Sequence, residues 1–254
     1  MQFRRHFCNL LLISAAIIFG YFSQVRPGSL RAVFCDVGQG DAILLIDGSV
    51  QILVDTGEDE QVLHCLEEKL PFWDKKIELV VLTHPDSDHI GGFLPLVESY
   101  SIGAVMYVPI EPDTQVSSKV LEEIDHLQHS GTKIVLPTQG LEFSPSPQVE
   151  LQVFNPYFPF NLVEECQNEI TETSLWDKKG CFFTDKRAVK TSKNNLSIAL
   201  NVRMGSVYLF LSGDLEEEAE LALLKTASLH RVDILKTGHH GAKTGTTKEI
   251  LGVL

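Results

Sequence analysis

"VVLTHPDSDHIGG" (residues 80–92) sets an apolar run against His84, Asp86, Asp88 and His89, followed at once by Gly91 and Gly92. The apolar residues suit a buried strand, and the polar ones fall where a strand gives way to a loop and a helix start. Side chains two apart at a strand end point to the same side, which lets His84 and Asp86 converge, while Asp88 and His89 reach a second point from the helix start. Imidazole and carboxylate are the usual protein ligands of zinc, manganese or iron. A solvated turn with aspartate caps is the bland alternative, and four ligand-type side chains within positions 84–89 weigh against it.

Two further strand ends carry similar chemistry. "FLSGD" (210–214) places Asp214 directly before a helix, where in isolation it reads as an N-cap. "VDILKTGHHG" (232–241) runs as a strand into His239 and His240. Three ligand-like clusters at three strand ends imply one rim on which they meet. Around them, residues 31–36, 42–47 and 51–57 read as consecutive strands, with a tight turn at "DGSV" (47–50). Residues 60–70 and 113–130 read as helices, the second capped by Asp113 or Thr114, and 215–225 as another. Residues 77–83, 104–110, 133–137 and 149–154 read as strands, 155–193 as a long loop, and 196–214 as a hairpin turning at Gly205-Ser206. Strands, helices, strands and helices in that order predict an α/β fold of stacked mixed sheets with helices outside. "TTKEILGVL" (246–254) begins a helix at which the sequence stops, and a completing strand would be expected to follow.

Length, charge and cysteines bound the rest. The 254 residues suffice for one sizeable domain, and a net charge of −13 with pI near 5.1 repels nucleic acid and anionic lipid unless bound cations reverse the local field. Arg4 and Arg5 precede an uncharged run, "FCNLLLISAAIIFGYF" (7–22). This predicts a separate segment 1–29, either an uncleaved membrane anchor or the end of a membrane region, with a signal peptide and a plain helix as alternatives. The basic start places the following domain, 30–254, outside the cytoplasm, although Arg26 and Arg31 lie on the far side. Cys35, in a strand, reads as a buried free thiol. Cys166 and Cys181 flank a polar stretch and would pair in an oxidising compartment. None of the cysteines has metal-ligand spacing.

The motifs "DVGQGDAILL" (36–45), "VDTG" (54–57), "THPDSDHIGG" (83–92), "NNLSIAL" (194–200), "LSGD" (211–214) and "HHGAKT" (239–244) occur in an order that resembles a metallo-β-lactamase-fold domain of the ComEC type, from the competence DNA-uptake channel. The resemblance implies an αββα sandwich with two divalent metals, zinc or manganese. It places His84 and Asp86 on one metal and Asp88 and His89 on the other. Asp214 bridges the two, and His239 or His240 completes the second site. Asp88 and Asp214 are then the catalytic carboxylates. Asp55 matches a buried aspartate that orients ligands, its bland reading being a hairpin-end turn. Asp36, Gln39 and Asp41 match a motif beside the site. Two departures stand out: Asp86 replaces the second histidine of HxHxDH, which makes that site harder and favours manganese or a mixed preference over zinc alone, and the histidine usually found between this motif and the bridging aspartate is absent. Asn194 or Asn195 occupies the neighbourhood of the missing ligand. Lys236 and Lys243 flank the histidine pair and suit phosphate contact, though an exposed surface lysine is the simpler reading.

Two cations side by side polarise a shared water and stabilise attacking and leaving oxygens, which suits phosphodiesters. The expected function is therefore a metal-dependent hydrolase, a phosphodiesterase or nuclease of DNA uptake, with DNA, the membrane and a competence channel protein as partners. The alternatives are a hydrolase of cell-envelope esters such as phosphorylcholine, or a non-catalytic channel or binding module with degenerate metal sites.

Overall fold

The computed structural model describes residues 6, 9–17, 20, 30–156 and 192–254. Strands β1 (Leu30–Phe34), β2 (Ile43–Asp47) and β3 (Val50–Val54) form an antiparallel meander, in which Asp47 pairs with Val50 across a turn that Gly48 enters at φ +61°. Helix α1 (Gln61–Lys69) follows, then β4 (Lys76–Ile77) and β5 (Leu79–Leu82). Next come α2 (Ser87–Ile90), α3 (Phe93–Ser99), β6 (Ser101–Ile102), β7 (Ala104–Tyr107), α4 (Gln115–His129) and β8 (Lys133–Val135). These complete a six-stranded sheet ordered β1-β2-β3-β5-β7-β8, parallel from β3 onward. Thr114 caps α4: its Oγ1 accepts from Ser117 N at 3.0 Å, while Ser117 Oγ accepts from Thr114 N at 3.1 Å.

The second sheet is built from β9 (Glu142–Ser146), β10 (Val149–Asn155), β11 (Ala199–Met204), β12 (Val207–Leu211) and, after helix α5 (Glu217–Thr226), β13 (Ile234–Lys236). Its order is β13-β12-β11-β10-β9, and the α5 crossover makes β13 parallel to β12. Helix α6 (Lys248–Leu251) follows. Strand β9 was not foreseen, because Pro145 interrupts its pattern; it lies at the sheet edge, where a missing N–H is tolerated.

Leu45, Ile52, Val81 and Met106 of the first sheet meet Leu151, Val153, Leu200, Val202 and Leu211 of the second. The alternate residues Leu44, Leu53, Val80 and Val105 face Leu66, Phe93, Leu96 and Ile124 of the helices. The central strands are thus buried on both faces, which accounts for their unbroken apolar runs. On the outer face of the second sheet, Phe154 and Phe210 pack with Leu215, Ala219 and Leu223. The architecture is an αββα sandwich.

Two expectations are corrected here. Cys35 is not a free thiol: it is bonded to Cys65 of α1, with Cα atoms 5.8 Å apart. The suggested partners Cys166 and Cys181 lie outside the described residues. At the amino terminus, residues 9–17 are helical with Leu10, Leu12 and Ile17 exposed, but among the described residues no helix is long and apolar enough to cross a membrane. That finding overturns the membrane anchor, the membrane partnership and the extracytoplasmic placement inferred from them; the competence-channel partner loses its basis with them.

Candidate metal centre

The site lies where the first-sheet strands β3 and β5 and the second-sheet strands β12 and β13 end on a common rim. The loops there are stitched together by backbone hydrogen bonds. Asp41 N donates to Asp88 O at 3.3 Å, Thr56 N to His89 O at 2.7 Å, and Gly57 N to Asp41 O at 2.8 Å. The glycines of the motifs are steric requirements: a Cβ on Gly40, at φ +89°, would fall 1.6 Å from Asp88 O.

Asp55, at φ +59° and almost fully buried, organises the interior of the site. Its Oδ1 accepts from Thr83 N at 2.7 Å, and its Oδ2 accepts from Thr83 Oγ1 at 2.8 Å. His89 Nδ1 lies 2.8 Å from the same Oδ2 and donates to it, which aims Nε2 outward into the cluster. Because the Thr83 hydroxyl proton goes to Asp55, Thr83 Oγ1 accepts from His84 Nδ1 at 3.1 Å. His84 Nε2 therefore carries the free lone pair. It is buried without a hydrogen-bond partner, 3.6 Å from Asp86 Oδ2 and 3.8 Å from Asp214 Oδ2.

Around Asp214 the ligand-type atoms close in. His89 Nε2 lies 3.4 Å from Asp214 Oδ1, His240 Nε2 lies 3.2 Å from Asp214 Oδ2, and the two imidazole nitrogens are 3.2 Å apart. Asp88 Oδ2 is 3.4 Å from His240 Nε2 and accepts from Gln39 Nε2 at 3.2 Å. Asp41, His89, Asp214 and His240 each offer one ligand atom, all within 4.8 Å of one another. Two imidazoles and two carboxylates around one point form a donor set for a divalent transition metal. The orphaned Nε2 of His84 beside them is a lone pair without a proton to share, and it fits the same chemistry. This is the one such cluster among the described residues; a second complete set is not found among them.

Lys236 is part of this site and nearly buried. Its Nζ donates to Gly213 O at 2.6 Å and lies 2.5 Å from Asp41 Oδ2 and 3.3 Å from Asp214 Oδ1. Burial disfavours charge on Asp214, but the hydrogen bond and charge of His89, joined by the charge of Lys236, hold its carboxyl well below the usual range. Burial likewise opposes the charge on His89, yet Asp55 and Asp214 outweigh it and raise the imidazole to about 10.

Other residues marked in the sequence stand apart. His239 turns away from Asp214: its Nδ1 lies 3.3 Å from Glu216 Oε1 and 3.3 Å from Thr244 Oγ1. Asn195 is buried and structural, with Oδ1 accepting from Glu216 N at 3.1 Å and Nδ2 donating to Glu218 Oε2 at 3.3 Å. Asn194 Nδ2 faces His239 Nδ1 at 3.4 Å. Asp36 is exposed and accepts from Gly38 N within its own turn, and Lys243 is exposed. Asp86 is drawn to Lys193, whose Nζ lies 2.8 Å from Asp86 Oδ1 and 2.8 Å from Asp113 Oδ2. The neighbouring His84 imidazole, opposed by burial and reinforced by the hydrogen bond and charge of Lys193, holds the Asp86 carboxyl well below the usual range. Lys193 has no signature of its own in the sequence, and its only cue is its position next to "NNLSIAL".

Residues 35–159 match the model of the metallo-beta-lactamase superfamily. The αββα sandwich is accordingly similar to the metallo-β-lactamase fold, which that stretch matches. Among curated proteins the chain is similar to ComE operon protein 3 of Bacillus subtilis, at 26% identity over 240 residues, covering 85% of this chain and 26% of that protein. It is also similar to Recombination protein 2 of Haemophilus influenzae, at 24% identity over 251 residues, covering 96% of this chain and 25% of that protein. The chain thus spans about a quarter of the length of these relatives. Among solved structures, the metallo-beta-lactamase fold protein YhfI from Bacillus subtilis aligns with a TM-score of 0.46 at 14% identity, covering 81% of this chain and 68% of that one.

Proposed function

We propose that the domain is a metal-dependent hydrolase whose substrates are phosphodiesters, single-stranded DNA among them. The observation that carries this reading is the convergence of Asp41, His89, Asp214 and His240 on one point, with Asp88 on its open side. His89, Asp214 and His240 would hold the ion, with Asp88 and Asp41 as further carboxylate donors. A divalent ion there supplies Lewis acidity and local positive charge in an otherwise acidic molecule. Asp55 fixes the His89 ring, and Gln39 fixes the Asp88 carboxylate. Asp88 Oδ2, on the open side, is placed to take the proton of an attacking water; Asp214, deeply buried, stays ionised and holds the two imidazoles together.

The phosphodiester is preferred over other esters because cationic side chains accompany the cluster. Lys193 is partly exposed beside Asp86, and Lys236 lies beneath Asp214. The ComEC-type motif order and the likeness to ComE operon protein 3 and Recombination protein 2 favour the same substrate class. The test is a panel of a chromogenic phosphodiester, labelled single- and double-stranded DNA and a β-lactam, with wild type and Asp88→Ala, each with chelator and with added Mn²⁺ or Zn²⁺. Phosphodiester cleavage should require metal and vanish in Asp88→Ala. Metal-loaded, folded protein that cleaves no phosphodiester would refute the proposal, and cleavage of the β-lactam alone would move the substrate class.

A further inference from the structure

We propose that Lys193 stands in for a cation beside His84 and Asp86, so that this chain holds one divalent ion, on the His89–His240 side, rather than two. The inference rests on the metal-dependent reading above and concerns how many ions that site takes.

His84 Nε2, Asp86 and Asp214 Oδ2 surround a second position, but among the described residues they are only part of a ligand set. Asp214 is already shared with His89 and His240. The neighbouring amides are engaged elsewhere: Asn195 is spent on Glu216 N and Glu218, and Asn194 faces His239. No histidine occurs in the sequence between His129 and His230. Into this gap the chain delivers an ammonium group. Lys193 Nζ sits 2.8 Å from Asp86 Oδ1, and Asp113 holds the same nitrogen from the other side at 2.8 Å.

The placement is built rather than incidental. Ser192 Oγ donates to Glu216 Oε2 at 2.7 Å, while Asn155 Nδ2 donates to Asn195 O at 3.0 Å and to Ser197 O at 2.8 Å. The turn that carries Lys193 is thereby fixed on both sides, against the end of β10 and the start of α5. A positive charge so close to Asp86 acts in two ways. It engages Asp86 Oδ1, leaving only Oδ2, the oxygen that faces His84, for an ion, and it repels a divalent ion bound at His84. Lys236 adds to the effect from the other side of Asp214. The two lysines supply, as fixed side chains, part of the positive charge that a second ion would bring.

The experiment is titration of metal-free protein with MnCl₂ and with ZnCl₂ by calorimetry, with elemental analysis of the loaded protein, on wild type, Lys193→Met and Lys193→Arg. Wild type and Lys193→Arg should take one equivalent, with any second bound far more weakly. In Lys193→Met the second equivalent should tighten by at least about tenfold, as expected for removing one charge at this distance in a partly exposed site. Circular dichroism checks that the variants fold; Lys193→Arg, keeping the charge, separates lost charge from lost structure. Two equivalents of comparable affinity in wild type would overturn this proposal and leave the hydrolase reading standing. So would a second equivalent unchanged in Lys193→Met. No bound ion in any of the proteins would overturn both.

Discussion

Asp55 touches no point where a substrate could sit, yet the site depends on it. Its backbone is held at φ +59°, a region that ordinary residues avoid, and its two oxygens receive Thr83 N, Thr83 Oγ1 and His89 Nδ1. Asp55→Asn keeps the size but replaces one acceptor oxygen with a donor that faces the Thr83 hydroxyl and His89. Loss of such an orienting carboxylate is expected to weaken metal binding about 10- to 100-fold, measurable by calorimetry on protein whose fold is checked by circular dichroism. An affinity equal to wild type would show that His89 is aimed by packing alone. At this scale the ligand-type residues were conspicuous in the sequence because three strand ends each carried them within a few positions. What decided between His239 and His240 was not local. Both have positive φ, at 43° and 51°, and the turn sends one ring to Glu216 and the other to Asp214. Lys193 was invisible for a related reason: its partner Asp86 is 107 positions away, and nothing in the local pattern marks the pair.

Elements matter here mainly through their ends. Strands β2, β3, β5, β11 and β12 were legible as apolar runs bounded by glycine or polar turns, and α4 by its cap. The edge strand β9 and the exact reach of β13 were not, because short edge strands are shaped more by their neighbours than by their own pattern. The loop from β1 to β2 is the element on which the site leans most. Gly40 lets it lie against the backbone of α2, and Gly40→Ala would drive a methyl group into Asp88 O. The expected result is a fall in both metal affinity and melting temperature, whereas Gly38→Ala, with open space around its Cβ but φ +76°, should cost stability mainly through strain and to a smaller extent. Equal effects of the two substitutions would argue against the close approach. The same loop is tethered at Cys35 to Cys65 of α1 across 30 positions of sequence. Loop-closure entropy for that span is about 3–4 kcal/mol. Urea unfolding of Cys35→Ser/Cys65→Ser against oxidised wild type should show a loss of that order; an unchanged midpoint would mean that the thiols are not joined in the native protein.

Across the whole molecule the dominant fact is negative charge, −13 in all, with carboxylates gathered around the buried His89 and the exposed His240. The class of fold followed from the order of apolar runs, since sheets buried on both faces need helices on either side. The charge balance of the metal-free site did not, because it depends on burial. His89 is raised from 6.5 to about 10, with burial opposing its charge and Asp55 and Asp214 overriding it. A raised basic group stabilises the fold fully below its unfolded value, and that stabilisation is lost as pH climbs through the folded value. Metal-free protein should therefore lose melting temperature between about pH 6.5 and pH 10. Asp214 and Asp86 are depressed, so their contribution is present above the unfolded carboxylate value of about 3.9 and is lost as pH falls below it. The metal-free protein should thus be most stable at mildly acidic pH. A divalent ion competes with the His89 proton for Nε2, so metal affinity should rise over the same interval in which metal-free stability falls, and binding near neutral pH should release protons. Two measurements check this together: melting temperature against pH for metal-free wild type and His89→Asn, and calorimetric titration with Zn²⁺ in buffers of different ionisation enthalpy. His89→Asn keeps a donor toward Asp55 without the charge, and should flatten the alkaline slope. A wild-type melting temperature that holds steady or rises from pH 6.5 to 10, with no buffer dependence of the binding heat, would mean that His89 is neutral in the metal-free protein and that Asp55 and Asp214 do not hold a proton there.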